Sequence, residues 1–534
     1  MTYDCLAEPW LPVRRASGAR EMIPPWKMTD GHATDPITTL DYPRPDFSGS
    51  MLQFLIGLVQ TCCPPNDPMD WESRRDAPPD PETLRQAFAA KGHAFLLDGD
   101  GPRFMQDLSP LDKVGKTKPI SILCIEAPGE QTLERNTDLF IKRGGIQRLC
   151  PACAAAALFT LQCNSPKGGR GHLTSLRGGG PLTTLVMGTT LWDTVWHNVL
   201  PMDRLAPLGD MAAPEAGGVF PWLAPTRTGE RGSPTETTLP GDVHPLQAYW
   251  GMPRRIRLQF EANPDAAPCS LCAAIAPRVV RTCQSKTYGT NYGGPWLHPL
   301  TPYTVVEGEA PNPRKGKDIC WRDWLGLVDT AQDKNTRRSP AAVVQAFRER
   351  IADARALDDA VPDFRIHAFG YELKDATPRA WVEGVVPVYV VDAALRERYA
   401  EWIERYVQCA GLVLFALRGA VAAALFSREN KPDAKSPFMR TLSERFWAGT
   451  TQPFAVFLRQ LRRCLAQGDP DQAQRRDWVL TLTRQAERLF ADVAENGDFA
   501  ASDPKKYADG LLQLRRYNSL KNKKIMEFMQ LETS

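Results

Sequence analysis

At 534 residues the chain is too long for a single hydrophobic core, so two or three domains are expected. With 43% hydrophobic and 24% charged residues it has the composition of an ordinary globular protein, which excludes a fibrous or wholly disordered chain. A formal net charge of only +3 means that any surface for nucleic acid must be local, and 13 scattered cysteines do not make the dense framework of a small secreted disulfide scaffold. The opening MTYDCLAEPWLPVRR carries acids and no apolar core, so no signal peptide is read there. The most apolar run, Cys409 to Phe426, contains Arg418 and is shorter than the roughly 20 residues a membrane span needs. These features predict a cytoplasmic protein.

Residues 1 to about 130 read as mixed α/β. Ser50 precedes MLQFLIGLVQ, an apolar helix that Pro64 and Pro65 stop. A second helix is predicted from Asp80 to Lys91, with Asp80 as its cap, Pro81 at its first position and Gly92 after its end. The stretch Leu139 to Trp192 follows, and it contains no Asp or Glu where about six would be expected from the chain average. It begins with an apolar and basic cluster, Leu139, Phe140, Ile141, Lys142 and Arg143, which reads either as a short strand ending in a turn or as a loop offered to DNA. It also holds Arg148, Lys167, Arg170 and Arg177 and two glycine-rich segments. A basic, glycine-punctuated surface suits a phosphate backbone better than a small neutral substrate.

CPAC, at Cys150 and Cys153, opens an apolar helix, and a second pair, CSLC, lies at Cys269 and Cys272. Two C-x-x-C pairs can supply four thiolates to a closed, structural zinc site. The 115 residues between them leave open buried thiols, or a redox motif at CPAC alone. The second pair opens another acid-free run, Ala266 to Val306, with Arg278, Arg281 and Lys286. A metal would draw both runs together and put both basic surfaces on one side of the protein. His172, His197 and His298 are assigned no catalytic role. No phosphate-binding loop, HExxH, GxSxG or two-metal carboxylate cluster is present in the sequence, which favours a binding protein over an enzyme.

Asp210 to Asp242, rich in Pro, Gly, Ala and Thr, reads as a surface excursion, and Gly370 to Asp375 as a turn between two strands. From Asp392 the pattern changes to helical spacing. Leu395, Tyr399, Trp402, Tyr406, Val413, Leu417 and Val421 line one long helix; others are expected over about 441–466 and 472–495, and a fourth opens at Asp503 and Pro504. The predicted class is α+β: a large irregular mixed α/β domain over 1–388 with a zinc-stapled region, then an antiparallel four-helix bundle over 389–534.

Several of these segments resemble, in order and over nearly the whole chain, the large subunit of the type I-E CRISPR Cascade complex, the CasA family. They are EPWLPVRR, DFSGSMLQFLIGLVQT, LCPAC, SLRGGGPLTTLV, CSLC, KTYGTNYGGPWLHPLTPY and AFGYEL, followed by the helical final two-fifths. The resemblance implies a subunit that is not an enzyme. It sits at the guide RNA 5′ handle, beside the other Cascade subunits. It recognises the protospacer-adjacent motif (PAM) of duplex DNA from the minor groove, promotes duplex opening and docks the helicase-nuclease, while guide pairing reads the remaining sequence. It further implies a glycine loop at Ser175, Leu176, Arg177, Gly178 and Gly179, a PAM-contacting lysine at Lys286 and a DNA-facing loop at Leu139, Phe140, Ile141, Lys142 and Arg143. A duplex wedge is implied at Lys374 and Asp375, where the family has amide side chains; Ser175 replaces the loop's first glycine. The alternative is a cytosolic thiol-redox or zinc-dependent enzyme using CPAC, which differs in needing no contribution from Cys269.

Overall fold

The computed structural model describes residues 2–138, 143–211, 218–317, 319–353, 364–374, 376–426, 429–430, 432–495 and 504–532. The chain is mixed α/β and divides into two compact units. The first comprises Met1–Lys317, Thr330–Arg350 and Arg365–Gly384; the second comprises Asp318–Asp329, Ile351–Phe364 and Val385–Ser534.

The first unit is built around two apolar helices, Pro45–Cys62 and Pro151–Asn164, which pack on each other. The second of these is apolar all round, with Ala154 to Phe159 fully buried, as expected of a helix surrounded by core. Its neighbours include an aromatic cluster centred on Phe54, whose ring meets Phe95, Phe104, Phe159 and Trp250 edge-on at 5.6–6.1 Å. The 210–242 stretch departs from expectation. Phe220 and Trp222 turn inward to join this cluster, and the Trp222 indole donates to Ala94 O at 2.6 Å. Its Pro and Gly content marks irregular backbone, and irregular backbone can still bury aromatics.

The helix Pro81–Ala89 forms as its punctuation requires: Asp80 caps it by accepting from Thr83 N at 2.9 Å. Four small sheets are present among the described residues. In one, Arg278–Lys286 lies between Lys116–Pro119 and Arg255–Ala262, with Lys286 opposite Arg255. In another, Phe364–Lys374 pairs with Thr183–Val186 in a register that sets Phe369 against Thr183. Gly370 to Lys374 therefore continue that strand, where a turn was expected; the next strand begins at Thr377.

Among the described residues the second unit holds six α-helices where four were expected: Arg396–Leu425, Pro437–Gly449, Thr451–Leu465, Gln472–Glu495, Pro504–Tyr517 and Lys523–Met529. The helix expected over 441–466 is broken at Thr450. Pro453 explains the break, because its ring and missing N–H are tolerated only in a first turn. The segment Asp318–Asp329 belongs with these helices. The Trp321 ring lies 4.3 Å from Phe454 and 5.0 Å from Trp447, and its indole donates to Trp447 O and Thr450 Oγ1. Among the described residues one helical stretch, Ala393–Leu425, is long and apolar enough to cross a membrane. Tyr399, Trp402, Tyr406, Val413, Leu417 and Val421 are buried among the neighbouring helices, as in a core helix.

Candidate nucleic-acid interface and cysteine cluster

The cysteine pairs meet because backbone ladders bring them together. Leu149 and Val280 exchange hydrogen bonds at 2.9 and 2.8 Å, which sets the mouth of the Pro151–Asn164 helix beside the Arg278–Lys286 strand. Pro151 occupies the first helical turn and the Cys150 sulfur accepts from Cys153 N. On the other side Cys269 N donates to Ala274 O at 2.9 Å and Ala273 N returns to Cys269 O at 3.0 Å, a tight turn with Ala273 at φ +60°. Ser270 stitches the two halves: its N–H donates to Arg148 O, and its hydroxyl accepts from Gln147 N and Arg148 N. All four sulfurs lie within 4.8 Å of one another, with Cys150 and Cys272 3.7 Å apart, close enough to hold one metal ion. Hydrogen bonds led by that from Cys150 hold the Cys269 thiol well below its ordinary range, and Cys272 falls to about 7 for the same first reason. Cysteines 150, 153 and 269 are buried and Cys272 is exposed.

The predicted glycine loop is a compact turn. Gly178 N donates to Ser175 O at 2.7 Å, and the Ser175 hydroxyl donates to Gly178 O at 2.6 Å. Two of its predicted side chains point inward. Leu176 packs with Val243 and Trp296. Arg177 is buried and donates to Gln53 Oε1 at 2.6 Å, Thr183 Oγ1 at 2.9 Å and Thr301 Oγ1 at 3.0 Å. An arginine in a basic stretch reads from sequence as a surface cation; here three neutral acceptors occupy it within the fold.

The glycines also answer to an internal constraint, because three backbones cross there. A Cβ on Gly180, at φ +58°, would lie 2.5 Å from Tyr371 O and 2.9 Å from Leu373 Cγ; one on Gly179 would lie 3.0 Å from Leu373 Cδ1 and 3.2 Å from Pro166 Cα. A Cβ on Gly316 would lie 2.8 Å from Gly370 C, and one on Gly370 2.5 Å from Pro181 O. Gly316 N donates to Gly180 O at 3.0 Å. This crossing joins the glycine loop to the end of the Phe364–Lys374 strand, so exposed Lys374 follows directly on a residue packed against Gly179 and Gly180.

Lys286 is half-buried at the end of its strand. Immediately beyond it Tyr288 N donates to Gly171 O at 2.8 Å, and the Tyr288 hydroxyl accepts from Arg170. The two acid-free runs therefore touch, and Lys286 and Lys374 both border the segment from Ser165 to Gly180. Leu139, Phe140, Ile141, Lys142 and Asp375 lie outside the described residues. Arg143 is bound at home: it pairs with Asp138 at 2.5 Å and donates to Asn136 Oδ1 at 3.0 Å. Asp138 stands one residue before the acid-free run begins, which is why a window drawn from Leu139 misses it. Two further cations, outside the predicted site residues, border the Ser165–Gly180 segment. Arg254 Nη2 donates to Pro166 O at 2.6 Å, and Lys315 Nζ donates to Arg177 O at 2.9 Å. The signal for Lys315 was present in the basic, glycine-containing run NPRKGK.

Fold and site together place the chain among large, non-repetitive mixed α/β proteins with four cysteines gathered from two distant C-x-x-C pairs. A family model described as CRISPR-associated protein Cse1 matches residues 4–489, and the chain belongs to that family, the CasA large subunits of type I-E CRISPR Cascade surveillance complexes. Solved structures share the fold at low identity. Cse1 from Acidimicrobium ferrooxidans superimposes with a TM-score of 0.68 at 19% identity, covering 99% of both chains. Thermobifida fusca Cse1 gives 0.70 at 15% identity, covering 100% of this chain and 99% of that one. A chain of a structure titled CRISPR RNA-guided surveillance complex gives 0.65 at 18%, covering 97% and 99%.

Proposed function

We propose that this chain is the PAM-reading subunit of its surveillance complex and carries no catalytic centre. The observation that supports this reading is the convergence, along Ser165–Gly180, of the glycine loop, the Lys286 strand end and the Lys374 strand end. Backbone free of Cβ atoms can approach base edges in a minor groove, and the Lys286 ammonium can reach acceptors there. On the same reading Lys374 and Asp375 are assigned to parting the duplex beside the PAM, and residues 139–143 to further contacts with the same DNA. Guide RNA with its 5′ handle, the other Cascade subunits and a helicase-nuclease recruited after opening are the remaining partners, in the cytoplasm. A domain division at 388/389, with an antiparallel bundle of helices beyond it in which the shorter segments continue the longer ones, is part of the same reading.

Zinc is the ion this cluster suits. Four thiolates and no other ligand type match a closed structural site, and the 3.7 Å between Cys150 and Cys272 matches the edge of about 3.8 Å that a sulfur tetrahedron has at a Zn–S distance of about 2.3 Å. Bound there, zinc would supply no chemistry; Cys150, Cys153, Cys269 and Cys272 would hold the two basic runs in register. The arrival of CSLC on CPAC favours a metal staple over a dithiol redox pair, which needs two sulfurs.

The test is a gel-shift titration of guide-loaded complex, with and without this chain, on duplexes with and without candidate PAM sequences. Tighter binding only on some flanking sequences is expected, and Lys286→Ala should weaken PAM-bearing duplex by roughly 1–3 kcal/mol. Uniform tightening of all duplexes would leave a basic clamp with PAM reading elsewhere.

A further inference from the structure

Several buried or half-buried arginines of the first unit face a carboxylate. Arg44 meets Asp46 and Glu126, Arg255 meets Asp107, and Arg278 meets Asp98. Arg257 and Arg103 hold backbone carbonyls instead. Three further cations without an ion pair to a carboxylate among the described residues, Arg177, Arg254 and Lys315, border one segment. Arg177 lies beneath the glycine loop with only Gln53 and two threonines as side-chain partners. Arg254 holds the Pro166 carbonyl and the Ser165 hydroxyl. Lys315 holds the Arg177 carbonyl, and its ammonium sits 2.6 Å from where a Cβ of Gly178 would be. Among the described residues no carboxylate pairs with any of them. Burial depresses all three pKa values, Lys315 to about 8 with the neighbouring Arg177 as second cause.

Hydrogen bonds to neutral groups satisfy the N–H donors and leave the charge uncompensated. A glutamine or methionine would fill such positions at less electrostatic cost. Three uncompensated cations along one glycine-rich segment make a standing positive potential, and among the described residues no carboxylate pairs with them to answer it. Lys315 is exposed with its ammonium part-buried, and Arg254 is half-buried, so an external anion can reach both.

We propose that the Ser165–Gly180 segment, with Lys315 and Arg254 at its edges and Arg177 beneath it, is a seat for a phosphodiester group of the duplex DNA backbone. This rests on the reading that the glycine loop meets DNA, and adds a contact that is independent of sequence. Lys315 and Arg254 donate to phosphate oxygens, and Arg177 contributes through its charge while keeping its bonds to Gln53, Thr183 and Thr301. The seat fixes the depth of the loop in the groove, and Lys286 is left to discriminate.

The experiment uses guide-loaded complex with the full chain, on PAM-bearing and PAM-lacking duplexes across a salt series, comparing wild type, Lys315→Ala, Lys315→Arg and Lys286→Ala. Lys315→Ala should weaken both duplexes by the same factor and make the slope of log affinity against log salt shallower by about 0.9, the value of one phosphate contact. Lys315→Arg should restore both. An unchanged slope would overturn the proposal and leave the cations a purely structural role. Loss confined to PAM-bearing duplex would make Lys315 a base reader. Loss already at joining of the chain to the guide-loaded complex, before any duplex is added, would assign the anion to guide RNA. If Lys286→Ala shifts PAM preference while Lys315→Ala does nothing, this seat fails and the PAM reading stands; if the chain itself affects no duplex, the PAM reading fails as well.

Discussion

The crossing of three backbones at Gly180, Gly316 and Gly370 predicts a graded response to adding one methyl group. In Gly180→Ala the new Cβ would stand 2.5 Å from Tyr371 O and 2.9 Å from Leu373 Cγ, at a residue held at φ +58°. Left-handed backbone costs an L-residue roughly 1–2 kcal/mol, and forcing a methyl into filled space costs about 1–3 kcal/mol more. The two terms separate by comparison. Gly232 has φ +81° with nothing within 4 Å of its Cβ position, so Gly232→Ala carries the backbone cost alone. Gly241 has neither constraint, and Gly241→Ala should stay within about 0.5 kcal/mol of wild type. Urea unfolding followed by tryptophan fluorescence should give midpoints falling in the order Gly241→Ala, Gly232→Ala, Gly180→Ala. PAM-duplex binding by the complex should suffer only in the last, because Leu373 must move and Lys374 with it. A Gly180→Ala protein as stable as Gly232→Ala would show that the crossing has room to spare, and the argument from close backbone approach would be wrong.

Metal analysis of purified protein should find one zinc per chain, and Cys269→Ser should release it and loosen the Gln147–Val280 region in hydrogen exchange; retention of one zinc would remove Cys269 from the site. Asp138→Asn should strengthen duplex binding by freeing Arg143 from its ion pair, with a steeper salt slope, whereas unchanged affinity would take Arg143 out of the interface. Lys315, with its pKa lowered to about 8, is charged below that pH and loses its proton above it, so duplex affinity should fall between pH 7 and 9, and Lys315→Arg should flatten the fall. The same shift has the opposite sign for folding. Between about 8 and the usual lysine range the unfolded chain binds the extra proton, so this residue's contribution to stability rises with pH there. Changing Lys374 and Asp375 together should slow duplex opening more than initial PAM binding, and equal opening rates would remove the wedge.

What could be read from the sequence was whatever depends on local spacing. Asp80 and Pro81 announce a helix start, and the 472–495 helix follows from its apolar repeat. The meeting of the two cysteine pairs was also accessible, since metal chemistry gives distant thiols a reason to converge. Side-chain direction was not accessible. Leu176 and Arg177 sit in a stretch whose composition says surface, and it takes nearby Thr183 together with Gln53, Thr301, Val243 and Trp296, these four remote in sequence, to turn them inward. Charge counting failed at its edge for a similar reason, with Asp138 just outside the window that made Arg143 look unpaired. Pro453 was visible throughout; the periodicity around it outweighed a residue that forbids continuous helix. The position of Lys315 is not legible in the sequence, because it depends on an antiparallel contact between Pro181 and Lys315 that no local pattern encodes.

The distance in sequence between the cysteine pairs has a consequence for how the protein is made. A ribosome adding about 5–20 residues per second needs roughly 6–23 s to pass the 115 residues between Cys153 and Cys269. Throughout that interval the nascent chain displays a bare vicinal dithiol at the start of what will become its most buried helix. The closing of the cluster is therefore a late event in biogenesis, available only after the Arg278–Lys286 strand has emerged to pair with Leu149. On the zinc reading, metal supply and reducing conditions while the chain is being made bear on the yield of correctly closed protein.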